Sequence, residues 1–225
     1  MRVSLIIPAH NEEKYIGACL DSVRAHADFD EVIVVDNAST DKTSAVASSR
    51  LGVKVVPEHT KGLPAARERG RIEATGDLIA YIDADSRMHE KWLPMAKKIF
   101  EERPDVVSLS GPARYFDGTF MQRVVMRIFW WISAPLTYRI VGYMLFGAHF
   151  IVRKEALEKI GGFNKSITFY GEDTDLAKRL SRHGKVMFKM NFYIYTSARR
   201  FKKEGLVGAN LRYAMNFLWP VLFHR

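Results

Sequence analysis

Apolar and polar positions along this chain fall into two patterns that alternate. Short runs rich in β-branched residues predict buried strands, and segments with apolar residues three or four positions apart predict helices. The predicted strands are Val3–Pro8, Glu31–Asp36, Val53–Val56, Leu78–Ile82, Val106–Ser110 and Phe150–Val152. Over the first four of these strands, strands and helices alternate about every 20–30 residues, which is typical of parallel βαβ units and predicts that these four strands end at one edge. The pattern therefore predicts an α/β fold with a mostly parallel central sheet flanked by helices.

Helix starts and ends are also predicted from local signals. Asn11 is expected to cap a helix over Tyr15–Val23, and Ser39 or Thr40 to cap the next one. Further helices are predicted from about Ala65, from about His89 to Glu102, over Lys154–Ile160 and around Leu176–Leu180. Lys185–Tyr195 is expected to form one or two strands.

The stretch from Phe116 to Gly147 is unusual because aromatic and apolar residues crowd around isolated arginines. Its longest uncharged runs are Ile128–Tyr138, which Pro135 is expected to break, and Ile140–Val152. Neither reaches the roughly 18 apolar residues that a spanning helix needs.

Composition and charge narrow the class of protein. The chain has 225 residues, 48% hydrophobic and 26% charged, which is a globular composition. Cys19 is the single cysteine, so a disulfide framework and a cysteine metal site are excluded. No secretory signal is recognised, and a cytoplasmic location is expected.

The formal net charge of +9 favours an anionic partner, either nucleic acid, a phosphorylated substrate or an anionic membrane. Zinc-finger spacing and RNA-binding aromatic signatures are not found, which argues against nucleic acid.

Two aspartates follow the most apolar strand. Asp83 and Asp85 stand one residue apart directly after Leu78–Ile82, and side chains at i and i+2 of an extended backbone point to the same side. Two close carboxylates need a cation or a shared proton, and hard oxygen ligands suit Mg²⁺ or Mn²⁺. The alternative is a polar turn that caps the following helix.

The loops carrying Asn11, Asp36 and Asp83 are expected to converge at one edge of the sheet. Neither a glycine-rich dinucleotide fingerprint nor a phosphate-binding Gly-x-x-x-x-Gly-Lys motif is found, which argues against ordinary dehydrogenases and P-loop enzymes. A nucleotidylyltransferase would want a glycine-rich basic loop where this chain has Ala9–Glu13.

Several segments in a characteristic order together resemble family 2 glycosyltransferases of the GT-A fold. They are Val3–Glu13, Val34–Asp41, Ala65–Gly76, Leu78–Asp85, Gly161–Phe163 and Gly171–Leu180. The resemblance implies transfer of a sugar from a nucleotide diphosphate donor, with inversion at the anomeric carbon. It implies one GT-A-like domain over residues 1–225, with a nucleotide-binding half at 1–113 and an acceptor half at 114–225.

The resemblance also implies roles for individual residues. Asp85 is the expected metal ligand, with Asp83 as a second ligand nearer the ribose, and Mn²⁺ or Mg²⁺ is the expected cofactor. Asp173 resembles the catalytic base. The expected donor-binding residues are Pro8, Ala9, Asn11, Glu12, Asp36, Arg67, Asp83, Arg199 and Arg200. A UDP-sugar is expected in preference to a GDP-sugar.

Each assignment has an alternative in ordinary structure. Asp173 resembles a helix cap, Asp36 a turn former and Arg67 part of a solvated helix face. Arg199 and Arg200 suit either a leaving diphosphate or the surface of an anionic membrane.

Aromatic residues beside arginines in Phe116–Val152 and in the tail from Phe201 to Phe223 suit a membrane interface, or a core or dimer contact. We expect a peripheral protein at the inner face of the membrane with a lipid-linked acceptor in cell-envelope glycan synthesis. The other functional hypothesis is a catalytically silent sugar-nucleotide-binding or membrane-scaffolding protein on the same fold.

Overall fold

The computed structural model of the protein describes residues 1–167, 171–199 and 201. The helices are α1 Ile16–His26, α2 Thr43–Ser48, α3 Leu63–Glu73, α4 Trp92–Glu102, α5 Phe120–Val141, α6 Lys154–Lys159 and α7 Glu172–Leu180. The strands are β1 Val3–Ala9, β2 Glu31–Asp36, β3 Val53–Pro57, β4 Leu78–Ile82, β5 Ser86–Arg87, β6 Val106–Ser110, β7 Ala113–Tyr115, β8 His149–Arg153, β9 Lys185–Phe188 and β10 Ile194–Thr196. All six strands predicted from the sequence are confirmed to within one residue at either end.

The larger sheet of the described residues has the order β3-β2-β1-β4-β8-β6-β9. Strands β3, β2, β1 and β4 run parallel, which confirms the mostly parallel sheet. Strand β8, which is not one of these four, lies antiparallel between β4 and β6. Because β8 runs backwards, its first residue, His149, pairs with Ile82 at the carboxyl end of β4. The chain just before β8 therefore reaches the edge where the site lies.

The core occupies both faces of this sheet, which explains the continuous apolar strand runs. Strand β1 is buried along its whole length, with Leu5 packed towards the α1 side and Ile6 towards the α3 side. Helix α3 lies very close to β1, since a Cβ added at Gly70 would lie 2.2 Å from a methyl carbon of Ile6. Glycine at this position allows the close approach that places Arg67, one turn earlier, at the sheet edge.

A smaller sheet of order β5-β10-β7 covers the same edge. Its strand β5 begins directly after Asp85, and β10 comes from far along the chain. The segment Lys185–Tyr195 accordingly divides between two strands, β9 and β10, which belong to different sheets. This arrangement brings Thr196 and Arg199 beside Asp85.

Helix α5 accounts for the aromatic stretch. It has 22 residues and begins with a capping box in which Thr119 and Gln122 exchange side-chain hydrogen bonds with the backbone. The expected break at Pro135 is wrong. Met126, Trp130 and Ala134 anchor the helix before the proline, and after it the Tyr138 hydroxyl donates to the Val186 carbonyl at 3.1 Å. No helix in the described ranges has the length and apolar content needed to cross a membrane.

Two expected caps are wrong, and one helix begins later than expected. Helix α1 begins at Ile16, and Asn11 instead adopts a left-handed conformation in which its Oδ1 accepts the Thr40 N–H at 2.8 Å. Helix α2 begins at Thr43, whose N–H is accepted by Asp41 at 2.9 Å, rather than after Ser39 or Thr40. Helix α4 begins at Trp92 instead of about His89. The polar side chains here join two loops to each other, and tertiary contacts take precedence over local capping.

Candidate active site

A cavity of about 960 Å³ lies at the carboxyl ends of β1 and β4. One wall carries charged side chains, and the opposite wall is formed by α5 and the chain that leads into β8. Of the residues predicted for the site, the cavity is lined by Pro8, Ala9, Glu12, Arg67, Asp83, Asp85, Asp173 and Arg199. The fold thus brings together eight of the predicted residues from distant parts of the chain.

Asp83 and Asp85 both line the cavity, although for a different reason than predicted. Residues 83–85 form a turn in which the Ser86 N–H donates to the Asp83 carbonyl at 2.9 Å, so the backbone is not extended there. An Asp83 carboxylate oxygen lies 3.7 Å from Arg67. Asp85 is only 10% exposed, faces the Arg199 guanidinium at 2.8 Å, and accepts the Thr196 hydroxyl at 3.3 Å.

Arg67 is the buried centre of the site, with 1% of its side chain exposed. Its guanidinium donates to the Gly147 carbonyl at 2.7 Å and to Glu172 at 3.1 Å, and it lies over the Phe150 ring. The alternative of a solvated helix face therefore fails for Arg67. It holds for Arg69, which pairs with Glu73 on the same helix.

Asp173 lies in the first turn of α7 instead of in a preceding loop. Its two carboxylate oxygens accept the backbone N–H groups of Gly147 at 3.0 Å and of Thr174 at 2.8 Å. Burial, together with the charge of Glu172, raises the pKa of Asp173 to about 6, although Arg67 opposes the shift. A carboxyl group with this pKa is largely ionised at neutral pH and still basic enough to accept a proton.

Arg199, which follows β10, contacts Glu12 after β1 and Asp85 after β4. Its guanidinium makes a two-pronged ion pair with Glu12, at 2.8 and 2.5 Å, in addition to the contact with Asp85. Burial raises the pKa of Glu12, and the hydrogen bond from Arg199 only partly offsets this effect. Burial lowers the pKa of Arg199, but its two carboxylate partners outweigh that effect and the net pKa is raised.

Three predicted residues do not line the cavity or cannot be placed. Asp36 accepts the Ser39 N–H at 3.2 Å and Asn11 accepts the Thr40 N–H at 2.8 Å, and neither residue lines the cavity. Their neighbour Asn37 does line the cavity, and its side chain bonds to the backbone of the loop before α3. Arg200 and the aromatic tail after Phe201 lie outside the described residues.

A comparison with protein families identifies the family of this chain. Residues 4–161 match glycosyl transferase family 2, and residues 127–203 match the family described as the N-terminal domain of galactosyltransferase. The chain belongs to glycosyl transferase family 2. The resemblance inferred from the sequence motifs is thereby confirmed.

Curated glycosyltransferases match over part of the chain. The glycosyltransferase AglE of Haloferax volcanii is 34% identical over 100 residues, which is 40% of this chain and 33% of AglE. The poly(ribitol-phosphate) beta-N-acetylglucosaminyltransferase TarS of Staphylococcus aureus is 32% identical over 118 residues, which is 48% of this chain and 20% of TarS. The matched region is therefore at most a third of the length of either relative.

Solved structures of other glycosyltransferases share the fold. The mannosyltransferase PcManGT from Pyrobaculum calidifontis, in complex with GDP-Man and Mn²⁺, superimposes with a TM-score of 0.67 at 23% identity over 95% of this chain and 64% of its own. The glucosyl-3-phosphoglycerate synthase from Mycobacterium tuberculosis, in complex with Mn²⁺, UDP and phosphoglyceric acid, has a TM-score of 0.68 at 23% identity over 97% of this chain and 77% of its own. These likenesses confirm the GT-A-like architecture.

The side chains of this family 2 cavity suit a divalent cation. Its described lining holds five carboxyl groups, on Glu12, Asp83, Asp85, Glu172 and Asp173, and two guanidinium groups, on Arg67 and Arg199. This excess of negative charge would repel a nucleoside diphosphate unless a cation joined the two. Hard carboxylate oxygens are the ligands that Mg²⁺ and Mn²⁺ prefer, with one or two carboxylates usually complemented by substrate phosphates. Across the described ranges, no three His, Cys, Asp or Glu side chains converge on one point.

Sequence reasoning missed several residues of the site. Glu172, Thr196, Gly147 and Tyr15 contact Arg67, Asp85, Asp173 and Arg199 respectively. Glu172 stands beside Asp173 in the Gly-Glu-Asp motif and could have been found there. No local pattern marks the other three, because their importance comes from long-range contacts.

His149 follows the cavity-lining residue Ala148 but does not line the cavity itself. It is fully buried, its Nδ1 accepts the Trp92 indole N–H at 3.2 Å, and its Nε2 lies 2.9 Å from the Gly111 carbonyl. Burial lowers the pKa of His149 to about 4, so the ring is neutral and Nε2 carries the proton. Its role is to hold β8 against α4 and the end of β6.

Proposed function

We propose that this protein is a metal-dependent inverting glycosyltransferase, which moves a sugar from a nucleotide diphosphate donor to an acceptor hydroxyl or phosphate. The observation that carries the proposal is the convergence of Asp83, Asp85, Arg67 and Asp173 on one cavity in a family 2 fold. The structural neighbours hold GDP-Man with Mn²⁺, UDP with Mn²⁺, and, for TarS, UDP-GlcNAc. A UDP-sugar remains the favoured donor and a GDP-sugar the alternative.

In this proposal the carboxylates of Asp85 and Asp83 would hold the divalent cation. The bound cation supplies neutralisation of the charge that develops on the departing nucleoside diphosphate. Arg67 orients Asp83, because its buried guanidinium lies 3.7 Å from an Asp83 carboxylate oxygen. The Thr196 hydroxyl donates a hydrogen bond to the other Asp85 carboxylate oxygen.

Asp173 acts as the base for a hydroxyl acceptor. As the acceptor oxygen bonds to the anomeric carbon, the bond from that carbon to the diphosphate breaks, and the hydroxyl proton passes to an Asp173 carboxylate oxygen. The N–H groups of Gly147 and Thr174 hold the carboxylate in place during this transfer. Attack from the face opposite the leaving group inverts the anomeric configuration.

The acceptor is proposed to be lipid-linked, because the wall opposite the carboxylates is apolar. It is lined by Met126, Phe129, Trp130, Leu136, Ile140, Leu145 and Phe146. Leu136 and Ile140 are also 57% and 73% exposed, so this wall continues from the cavity to the outer surface of α5. A hydrocarbon tail could follow it while the polar head of the acceptor stays near Asp173.

The same helix supports a location at a membrane surface. Its exposed apolar residues, which we call the α5 outer face, are Phe120, Met121, Val125, Ile128, Trp131, Ile132, Leu136 and Ile140. Arg123, Arg127 and Arg139 are exposed on the same helix, and the chain carries a net charge of +9. Apolar side chains beside arginines match the boundary between acyl chains and anionic headgroups. We place the protein at the inner face of the membrane, in cell-envelope glycan synthesis.

Calorimetry on the metal ligand tests the proposal. Mn²⁺ should tighten UDP binding to the parent protein by at least about tenfold, and Asp85→Asn should abolish this tightening, since the cation joins the carboxylate to the diphosphate. Asp28→Asn removes an exposed carboxylate outside the cavity lining and should behave like the parent. Equal tightening in Asp85→Asn would disprove the metal role. Donor binding without any transfer or hydrolysis of the sugar would favour the catalytically silent alternative.

A further inference from the structure

Arg199 occupies the position where a cation is needed. Its guanidinium lies between two carboxylates, 2.8 Å from Asp85 and in two-pronged contact with Glu12. The two acidic side chains are only 10% and 13% exposed. Carboxylates this poorly solvated are costly unless a positive charge faces them, and Arg199 supplies that charge.

This contact conflicts with the metal role of Asp85. The Asp85 Oδ2 atom that faces Arg199 belongs to the carboxylate proposed to bind the divalent cation. A guanidinium and a divalent cation on the same carboxylate would lie within a few ångströms of each other and repel strongly in a partly buried site. Pairing of Asp85 with Arg199 therefore weakens its binding of the metal, and metal binding weakens the ion pair with Arg199.

Two contacts keep Arg199 in the cavity when it leaves Asp85. The ion pair with Glu12 uses the two terminal nitrogens, whereas the contact with Asp85 uses Nε. The guanidinium also stacks 4.7 Å above the Tyr15 ring. A small rotation could therefore free Asp85 without loss of the other partners, and an arginine fork of this kind binds phosphate oxygens well.

We propose that Arg199 is a stand-in cation for Asp85, which means that it pairs with this carboxylate while no metal is bound. When the divalent metal binds, Arg199 releases the Asp85 carboxylate and turns to the donor diphosphate. This inference rests on the proposed function. It implies that the metal alone binds weakly, because it must compete with Arg199. Nucleotide then strengthens metal binding, because the diphosphate gives the released guanidinium a new partner, and by linkage the metal strengthens nucleotide binding equally.

The test compares Arg199→Gln with Arg114→Gln. Arg114 is exposed on β7, the neighbour of β10, and does not line the cavity, so it controls for the loss of one positive charge in this small sheet. Binding of Mn²⁺ alone is measured by calorimetry. Arg199→Gln should bind Mn²⁺ on the order of tenfold more tightly than the parent and Arg114→Gln, because the competing ion pair is gone. Equal or weaker binding of Mn²⁺ by Arg199→Gln overturns the proposal.

A second measurement separates this inference from the proposed function. In the parent, UDP should tighten Mn²⁺ binding, and in Arg199→Gln this coupling should fall by about tenfold, because no guanidinium is released to the diphosphate. Coupling that stays at the parental value overturns the role of Arg199 while leaving the metal site intact. Absence of any Mn²⁺ binding in the parent, with or without UDP, overturns the proposed function itself.

The rise in melting temperature on adding Mn²⁺ alone gives a second measure of metal binding in case Arg199→Gln is less stable than the parent. Without metal, Glu12 and Asp85 in Arg199→Gln lack their common partner, so the metal-induced rise should exceed that of the parent. A smaller rise than in the parent contradicts the stand-in role.

Discussion

At the scale of single residues, Asp173 shows how surroundings decide chemistry. It is one of three acidic residues in the first turn of α7, yet Asp175 pairs with Arg179 at 2.7 Å and only Asp173 and Glu172 line the cavity. Burial raises the pKa of Asp173 to about 6. The same residue type therefore serves in a structural ion pair at one position and as a candidate base two residues earlier.

Replacement of Asp173 by Asn should lower turnover by roughly a hundredfold or more with a hydroxyl acceptor, and should barely change donor affinity, because only proton acceptance is lost. Steady-state kinetics on Asp173→Asn measures both, with Asp175→Asn as the control that keeps parental turnover. Near-parental turnover of Asp173→Asn would make this residue a helix cap.

The pH profile provides an independent check on Asp173. Because the base must be ionised, kcat/KM of the parent should rise with pH up to about 6 and level off above it. The folded-state pKa lies above the ordinary value of 3.8, so the stability contribution of this group is present at low pH and is lost as pH rises through about 6. Asp173→Asn should therefore gain stability relative to the parent at pH 8 but not at pH 4, as measured by urea unfolding.

Arg67 carries a charge that the fold buries almost completely. Arg67→Met should lower the free energy of unfolding by about 3–5 kcal/mol, because Asp83 and Glu172 would lose a buried partner. Arg69→Met, on the same helix, removes a more exposed pair with Glu73 and should cost only about 1 kcal/mol or less. Urea denaturation compares the two variants, and similar losses would contradict the central role of Arg67.

At the scale of elements, α5 carries two surfaces with different roles. Met126, Trp130 and Ala134 pack inwards, while Trp131 and Ile132 are 74% and 63% exposed on the α5 outer face. Eight exposed large apolar residues on one helix form a larger apolar surface than monomeric proteins usually leave exposed to water. A partner surface is therefore expected there.

The membrane assignment of the α5 outer face is tested with vesicles. The parent should sediment with anionic vesicles at low salt and less at high salt, since arginines contribute to the attraction. The double variant Trp131→Glu and Ile132→Glu should lose vesicle binding without loss of stability, whereas Leu51→Glu, at an exposed leucine elsewhere, should bind as the parent does. Failure of the folded parent to bind vesicles would contradict the membrane model. Dimerisation abolished by the double variant would assign the surface to a second copy.

At the scale of the whole molecule, the cavity joins segments from both ends of the chain. Pro8 lies near the end of β1 and Glu12 follows that strand, Asp83 and Asp85 follow β4, and Thr196 ends β10 shortly before Arg199. A ligand that bridges these segments should therefore stabilise the folded state as a unit, in proportion to its binding free energy.

Thermal unfolding tests this coupling. In the presence of Mn²⁺, UDP at about 100 times its dissociation constant should raise the melting temperature by about 5–10 °C above that with Mn²⁺ alone, which corresponds to roughly 2.7 kcal/mol in a domain of this size. UMP with Mn²⁺ should give a much smaller rise, because it lacks the second phosphate. An equal rise with UMP would contradict recognition of a diphosphate through a cation.

The sequence by itself determined the strands, the sheet edge and most of the charged residues of the site. Leu78–Ile82 and Val3–Ala9 are predictable because burial on both faces of a sheet requires a continuous apolar run, which is a local pattern. Asp83, Asp85 and Asp173 are recognisable because they stand directly after such a run or inside a motif that resembles a known family. Both kinds of information lie within a few neighbouring residues.

Only the tertiary structure decided the direction of β8, the continuation of α5 through Pro135 and the partners of the charged side chains. The ion pair of Glu12 with Arg199 spans 187 positions of the chain, and the contact of Arg67 with Glu172 spans 105. A single charge gives no periodic signal, so its partner depends on which strands pair and in which direction. Local propensity is also weak beside packing. Trp130 and Ala134 hold α5 before Pro135 and Tyr138 holds it afterwards, so the loss of one backbone hydrogen bond at the proline is outweighed by tertiary contacts.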